Sequence, residues 1–349
     1  MGRFQSGLRR RAVLTGLAGV AAAASLPACA KPASDFRGLW QIFRGRFVED
    51  DGRVVDSYNN RISHSESQGW GMLIAAAAED WPAFERIWGW TAQNLQWAGA
   101  PLFAWVWDPE GERVRDPNDA SDGDILIAWA LARAGQARKR NDWIDAARAT
   151  AVAVRTLVTT PLAGGLALLP GFYGFSGGGV ATVNLSYYVF PAFTDFARLD
   201  PDPAWAALTE DGVALARRAR FGGLALAPDW LDVAPDGKLT PAANWPPRFG
   251  FDAVRVPLYL AWAGIDDDAD LATYRAAWRS ADPPPAWFSL DGGEHADHAA
   301  SAGVLAIRDV IEGRKPSEEI LWSAVKEGEY YSASLALLSL MAAEANDLR

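Results

Sequence analysis

The sequence predicts an all-α protein, a helical toroid in which inner helices are wrapped by outer ones, and three observations carry that expectation. From residue 36 onward apolar positions recur at i, i+3, i+4 and i+7, with few alternating β-branched runs. The helical segments number twelve and fall into six consecutive pairs. The longer connections, rich in Gly, Pro, Asp and Asn, come mainly before the first helix of a pair, so long loops gather on one rim and would wall a cleft there.

Taken in order, the expected helices cover 38–48, 67–79, 81–96, 123–136, 141–157, 186–199, 203–219, 253–264, 268–279, 296–312, 317–326 and 330–346. Each follows the same apolar pattern, with bounds set to within ~2–4 residues. The fourth, sixth and eighth follow the loops "DPEGERVRDPNDASDGD", "LPGFYGFSGGGVATVN" and "APDGKLTPAANWPPRFGF". At 349 residues, half of them hydrophobic, the chain can bury one large core or two smaller ones, and no repeat or interdomain linker divides it. A formal charge of −10 with no basic block beyond the N-terminus argues against nucleic acid as a partner, because phosphate neutralisation needs clustered Lys and Arg. Seventeen Trp against three His and three Met exceed what filling a core requires, so some indoles are expected to face a ligand.

Residues 1–30 read as an export signal: Arg9, Arg10 and Arg11, the apolar stretch "AVLTGLAGVAAAASLPA", then small residues around Cys29. Arg10 to Leu14 resembles a twin-arginine signal, and Leu26, Pro27, Ala28, Cys29 resembles a lipoprotein box. Lipidation of Cys29 and ordinary cleavage after Ala30 both stay open. The expectation is one catalytic domain over 31–349, exported, periplasmic or secreted, meeting a membrane only through such an N-terminal lipid anchor. Cys29 is the only cysteine, so no internal disulfide is expected, and no later apolar run reaches the ~20 residues of a membrane span.

Three loop-to-helix junctions carry acids that stand apart from solvated helix faces. They are Glu66 in "SHSESQGWGM", Asp122 and Asp124 in "NDASDGDILIAWALARAG", and Asp252 in "RFGFDAVRVPLYLAW". N-capping explains any one of them, with Ser63 or Ser65 as the alternative cap beside Glu66. It does not explain their company: Gln68 and Trp70 beside Glu66, Arg255 one helical turn after Asp252, and Trp105, Trp107, Phe172, Tyr173, Tyr187, Tyr188, Trp245, Tyr330 and Tyr331 in flanking segments. Separated carboxylates with aromatic platforms are what glycosidic cleavage requires. One protonated acid in a poorly solvated site donates to the leaving oxygen, and a carboxylate activates water or attacks the sugar. This chemistry needs no metal and no cofactor.

At these residues the sequence resembles glycoside hydrolase family 8. The likeness runs over essentially the whole mature chain, through "SESQGWGM", "NDASDGDILIAWALARAG", "NLSYYVFPAF" and "FGFDAVRVP" in family order, followed by "EYYSASLALLSL". Each block is weak alone; their order and spacing are specific. The resemblance implies an (α/α)6 barrel and endo-acting hydrolysis of β-1,4-glucan with inversion at the anomeric carbon. It is strongest to members encoded with bacterial cellulose synthases, which implies association with that machinery. Residue by residue, it implies Glu66 as the general acid and Asp252 as the base that activates water, with Arg255 holding that carboxylate ionised. Asp122 matches an aspartate that contacts the sugar at the cleavage point and also has a claim to be the base, so that role stays open between Asp122 and Asp252. Tyr187 matches a tyrosine near the attacking water, and Asn184 opens its block. Asp124, Gln68, Trp105, Trp107, Tyr330 and Tyr331 complete the expected substrate-binding set. The usual S-E-G-Q-S-Y-G-M reads here from Ser65 to Met72 with Ser67, Gly69 and Trp70 altered, and Leu185 replaces a usual proline, changes that bear on subsite shape more than on the reaction.

The stretch "DGGEHADHAA" is expected to be a solvated loop capping the next helix rather than a metal site, because His295 and His298 lack the i, i+4 spacing of a helical zinc pair. His64 stands where it can tune Glu66 or simply hydrogen-bond at the cleft rim. The rivals are a chitosanase or xylan-active hydrolase of the same family, and an inactive barrel that only grips cellulose. Retention of Glu66, Asp122 and Asp252 together favours an enzyme.

Overall fold

The computed structural model describes residues 35–162 and 165–347, so residues 1–30, expected to be an export signal, lie outside the described residues. Among these are twelve α-helices: α1 (Phe36–Phe47), α2 (Ser65–Ala77), α3 (Trp81–Asn94), α4 (Ser121–Arg138), α5 (Asn141–Leu157), α6 (Phe190–Leu199), α7 (Ala204–Arg218), α8 (Arg255–Ala263), α9 (Asp268–Arg279), α10 (Ala302–Ile311), α11 (Glu318–Trp322) and α12 (Tyr330–Asp347). Helices α2, α4, α6, α8, α10 and α12 each pack on the next, and α12 returns to α2, which closes an inner ring. The other six lie against it, α3 on α2, α5 on α4, α7 on α6 and α1 on α12 among them. This is the expected (α/α)6 barrel.

The sequence explains the two layers. Inner helices are enclosed on all sides, and α4 is buried without a break from Ser121 to Ala132. Outer α5 buries one stripe, Trp143, Ala147, Thr150, Ala151 and Val154, at the spacing of an amphipathic helix. Two glycines let α2 and α4 approach closely: a Cβ at Gly69 would lie 2.6 Å from the Leu126 Cβ, and one at Gly123 would lie 2.0 Å from the Ser65 Oγ.

Two expected helices begin later than their apolar pattern. Pro191 sits in the first turn of α6 and disfavours helical conformation just before it, so 185–187 form a separate 3-10 turn. Helix α10 starts at Ala302 under a Ser301 cap, because 285–299 fold back on themselves through bridges Pro285 to Ala299 and Phe288 to His295. His298 is therefore on an exposed loop, as expected for that segment.

The strands were not foreseen. The loops hold β1 (Ser63–His64), β2 (Ala104–Asp108) and β3 (Arg113–Asp119) in one sheet, and a hairpin of β4 (Thr159–Leu162) and β5 (Gly165–Leu168). A four-stranded sheet joins β6 (Ser176–Gly177), β7 (Val180–Val183), β8 (Leu231–Val233) and β9 (Leu239–Pro241), and β10 (Arg248–Phe249) pairs with β11 (Phe288–Ser289). All of them lie in connections that run from an outer helix to the start of an inner one. They stiffen the rim at which the inner helices begin.

Candidate active site

The sequence-predicted acids converge on that rim. Glu66 is the second residue of α2, Asp122 the second of α4, Arg255 the first of α8, and Asp252 lies in the turn just before α8. The free N–H groups and positive dipole ends of inner helices therefore point at the place where the carboxylates collect.

Arg255 ties them together. Its side chain is 3% exposed, and its guanidinium contacts Glu66, lies 3.6 Å from the Asp122 Oδ2 and donates to the Asp252 Oδ1 at 2.8 Å. The same terminal nitrogen that reaches Asp252 also donates to the Ser186 Oγ at 2.9 Å, and Ser186 donates to the Asn184 Oδ1 at 2.7 Å. The guanidinium carbon sits 5.6 Å from the Trp70 ring centroid, and the Trp70 indole donates to the Tyr259 hydroxyl. Trp70 is thus a buried backing for the cation.

One cation faces three carboxylates in a poorly solvated site, which raises the proton affinity of Asp122 and Asp252. Burial pushes Asp122 up to about 7, despite the bond it accepts from the Gly123 N–H at 2.8 Å. Asp252 is also raised, by burial and by the charges of Asp229 and Asp122, while Asn184 and the Trp230 indole favour its anion. The phenol of Tyr187 is held protonated by burial and by the nearby charges of Asp122 and Asp252. His64, rather than Ser63 or Ser65, caps α2: its Nδ1 accepts from the Ser67 N–H at 3.0 Å while the Ser67 hydroxyl accepts from the His64 N–H. The other ring nitrogen, Nε2, lies 3.7 Å from the Asp56 Oδ2. The cap fixes the turn that presents Glu66.

Several expected binding residues turn away. Gln68 is fully buried, accepts from the Val54 N–H at 2.6 Å and donates to the Thr91 Oγ1 at 2.8 Å, which fastens α2 to α3. Asp124 is fully buried, accepts from the Phe103 N–H at 2.8 Å and hydrogen-bonds to Asp119, itself held by the Phe172 N–H at 2.6 Å. Two carboxyls in contact share a proton, and burial together with Asp119 holds Asp124 well above the usual range. Tyr330 is fully buried among Phe43, Phe47, His64 and Trp70, so it is core and no platform. Trp107 packs edge-on against Trp90 under the Arg53 guanidinium, on the side of α3. Trp105 is half-buried with Arg115 over its ring.

Tyr331 does reach the cleft. Its hydroxyl donates to the Phe251 carbonyl, and both residues line a cavity of about 720 Å³ with Tyr58, Asp56, Glu329 and His298. At another loop, Trp97, Phe172 and Tyr173 form a cluster with Phe172 and Tyr173 exposed. Asp229 and Trp230, neither of which any local pattern marks, support Asp252. Trp230 donates its indole N–H to the Asp252 Oδ2 at 3.1 Å, and the Asp229 Oδ1 accepts from the backbone of Gly250, Asp252 and Ala253.

Acids gathered at the starts of inner helices around one arginine, with exposed aromatics on nearby loops, meet the demands of glycosidic cleavage. Residues 8–345 match the family described as Glycosyl hydrolases family 8, and the chain belongs to that family. It is 39% identical over 336 residues to a probable endoglucanase of Novacetimonas hansenii, covering 95% of this chain and 97% of that one. An endoglucanase of Cellulomonas uda is 37% identical over 78% of this chain and 77% of its own length. Among solved structures, an endo-β-1,4-glucanase from Acetobacter xylinum superposes with a TM-score of 0.82 at 38% identity, over 90% of this chain and 99% of that one. A family 8 endoglucanase from Klebsiella pneumoniae gives 0.81 at 36% identity, over 88% and 99%.

Proposed function

We propose that the protein is an endo-β-1,4-glucanase that cleaves cellulose or soluble cellulosic chains. The observation that carries the reading is the convergence of Glu66, Asp122 and Asp252 on Arg255, next to Tyr331 and Phe251, which line the 720 Å³ cavity. Family membership and the endoglucanases similar to this chain support it. In this proposal Glu66 protonates the leaving oxygen, Asp252 takes a proton from the attacking water, and Asp122 lies against the sugar at the cleavage point, beside Tyr187. Water attack directed by a base on the face opposite the acid inverts the anomeric carbon. Arg255 keeps the carboxylates in register and neutralises part of their charge as the proton moves.

A second reading, a chitosan-active enzyme, draws support from Asp56 and Glu329, two acids that line the 720 Å³ cavity and would favour a cationic sugar. The proposal includes export through residues 1–30 and action beside a bacterial cellulose synthase, which rest on the leader pattern and the family resemblance. The mass of the exported N-terminus separates lipidation at Cys29 from cleavage after Ala30, and co-purification with the synthase tests the association.

The test of activity is turnover of carboxymethylcellulose by the mature domain, with cello-, xylo- and chitosan-oligosaccharides followed by NMR for product and anomer. Glu66→Gln is expected to abolish hydrolysis while leaving oligosaccharide binding largely intact. Full activity in that variant would falsify the assignment.

A further inference from the structure

Asp252 is presented by a support that lies about twenty residues upstream. The Asp229 carboxylate is 4% exposed as a residue and accepts backbone N–H groups from Gly250 at 2.9 Å, Asp252 at 3.1 Å and Ala253 at 2.9 Å. It closes the turn that leads into α8, and Arg248 partners its other oxygen at 3.2 Å. The next residue, Trp230, reaches the Asp252 side chain itself, donating at 3.1 Å to the Oδ2 while Arg255 holds the Oδ1. Both oxygens of one carboxylate are thereby fixed by side-chain donors.

The Trp230 ring is itself stacked with two other aromatic rings. Trp245 lies parallel to it at 4.4 Å and 10°, and Phe175 lies parallel at 5.8 Å and 13°. Both rings are stacked on the indole, whose N–H edge faces Asp252. Tyr187 meets that ring edge-on at 6.0 Å. The stack sets the plane of the indole and therefore the direction of the donor.

We propose that Trp230 is a positioning residue for hydrolysis: its stacked indole aims the Asp252 carboxylate at the attacking water and favours the ionised form that takes the proton. The proposal rests on the reading of Asp252 as the base. The other charged and titratable groups that face Asp252 are Asp229 beside the same turn, Asp122 from α4, Arg255 on α8, Tyr187 before α6 and Tyr331 on α12. The acids oppose the anion and Arg255 supports it, so loss of one neutral donor moves the balance toward protonation.

The experiment compares Trp230→Phe, Trp230→His and Asp252→Asn in the mature domain on a soluble cello-oligosaccharide. Trp230→Phe retains an aromatic ring to stack with Phe175 and Trp245 but lacks the donor. It is expected to lower kcat about ten- to hundredfold, to change KM less than about threefold, and to move the acid limb of the pH profile upward by about one unit. Trp230→His restores a ring N–H and is expected to recover part of kcat and of the limb, with thermal melting measured for both. An unmoved acid limb, a rise in KM at constant kcat, or equal losses in the Phe and His variants would overturn the proposal. Asp252→Asn keeps the two failures apart: if it stays active, the reading of Asp252 as base falls, whereas an inactive Asp252→Asn beside a normal Trp230→Phe removes only the role of Trp230.

Discussion

Gly123→Ala tests whether the close approach of α2 and α4 sets the catalytic geometry. The added methyl would lie 2.0 Å from the Ser65 Oγ, 2.6 Å from the Ser65 Cβ and 2.8 Å from the Glu66 N. Carbon contacts settle at about 3.5–4.0 Å, so the first turns of the two helices must part by about 1 Å. A rotation of the Ser65 hydroxyl relieves only the first contact, since the other two atoms move with the turn that carries Glu66. Overpacking of this kind costs about 1–3 kcal/mol of stability. A shift of about 1 Å between the acid and the Asp122 side of the site costs about 10²-fold in kcat/KM. The assay is reducing-sugar release from carboxymethylcellulose together with thermal melting. Gly89→Ala on exposed α3, where nothing lies within 4 Å of the new Cβ, serves as the control and is expected to keep activity with an equal or higher melting temperature. A Gly123→Ala enzyme with parental kcat/KM would refute the reasoning.

Other substitutions separate neighbours that look alike in the sequence. Asp124→Asn keeps the size of the side chain and an acceptor oxygen for the Phe103 N–H, at a position whose carboxyl burial and Asp119 already push toward the neutral form, so kcat/KM is expected to stay within about threefold, whereas Asp124→Ala leaves the buried Phe103 N–H without its acceptor and costs about 1–3 kcal/mol in denaturant melts. For Asp122, a position near 7 lies above the usual carboxylate value, so the folded state binds this proton more tightly than the unfolded state. Its stability contribution is full below the unfolded value and declines as pH rises to about 7, by up to about 4 kcal/mol. Asp122→Asn removes that decline, and the variant is expected to be inactive yet to melt above the parent at pH 8, with the gap closing toward pH 4. Arg255→Lys keeps a charge but not the fork that meets Glu66, Asp122 and Asp252, and kcat/KM is expected to fall about 10²-fold or more in the same reducing-sugar assay.

The layered fold was legible because helical periodicity is local and each helix records its own buried face. The strands were hidden because their pairing is not local: Ser63 pairs with Trp107, and Thr182 with Asp232. The site divides along the same line. Glu66, Asp122 and Asp252 announce themselves at helix starts, and Arg255 follows Asp252 by three residues, which puts the two on one face. Gln68 and Asp124 each follow a cleft acid by two residues, and at about 100° per residue that spacing turns a side chain to the opposite face. Helix geometry could therefore have placed both away from the cleft, Gln68 toward α3 and Asp124 toward Phe103. Tyr330 and Tyr331 stand about 100° apart, and the neighbours of α12 decide which is enclosed. Asp229 and Trp230 have no such signal, because they reach Asp252 only once the loop before β8 folds back on the start of α8.

The choice between Asp122 and Asp252, open in the sequence, turns on access and donors. A base that activates water must have water beside it and must keep its lone pair directed there. The Asp252 side chain is 28% exposed, against 4% for Asp122. Asp252 also has a side-chain donor on each oxygen, Arg255 on one and Trp230 on the other, so its orientation is set without a substrate. Asp122 bonds the adjacent Gly123 N–H and meets Arg255 only at 3.6 Å, deep at the start of α4. An enclosed, weakly partnered carboxyl is poorly placed to receive a proton from bulk water and well placed to answer positive charge developing on a sugar ring. The division of labour proposed for the three acids thus follows from where each helix start leaves its carboxylate: open and doubly held for Asp252, enclosed for Asp122, and on the capped turn of α2 for Glu66.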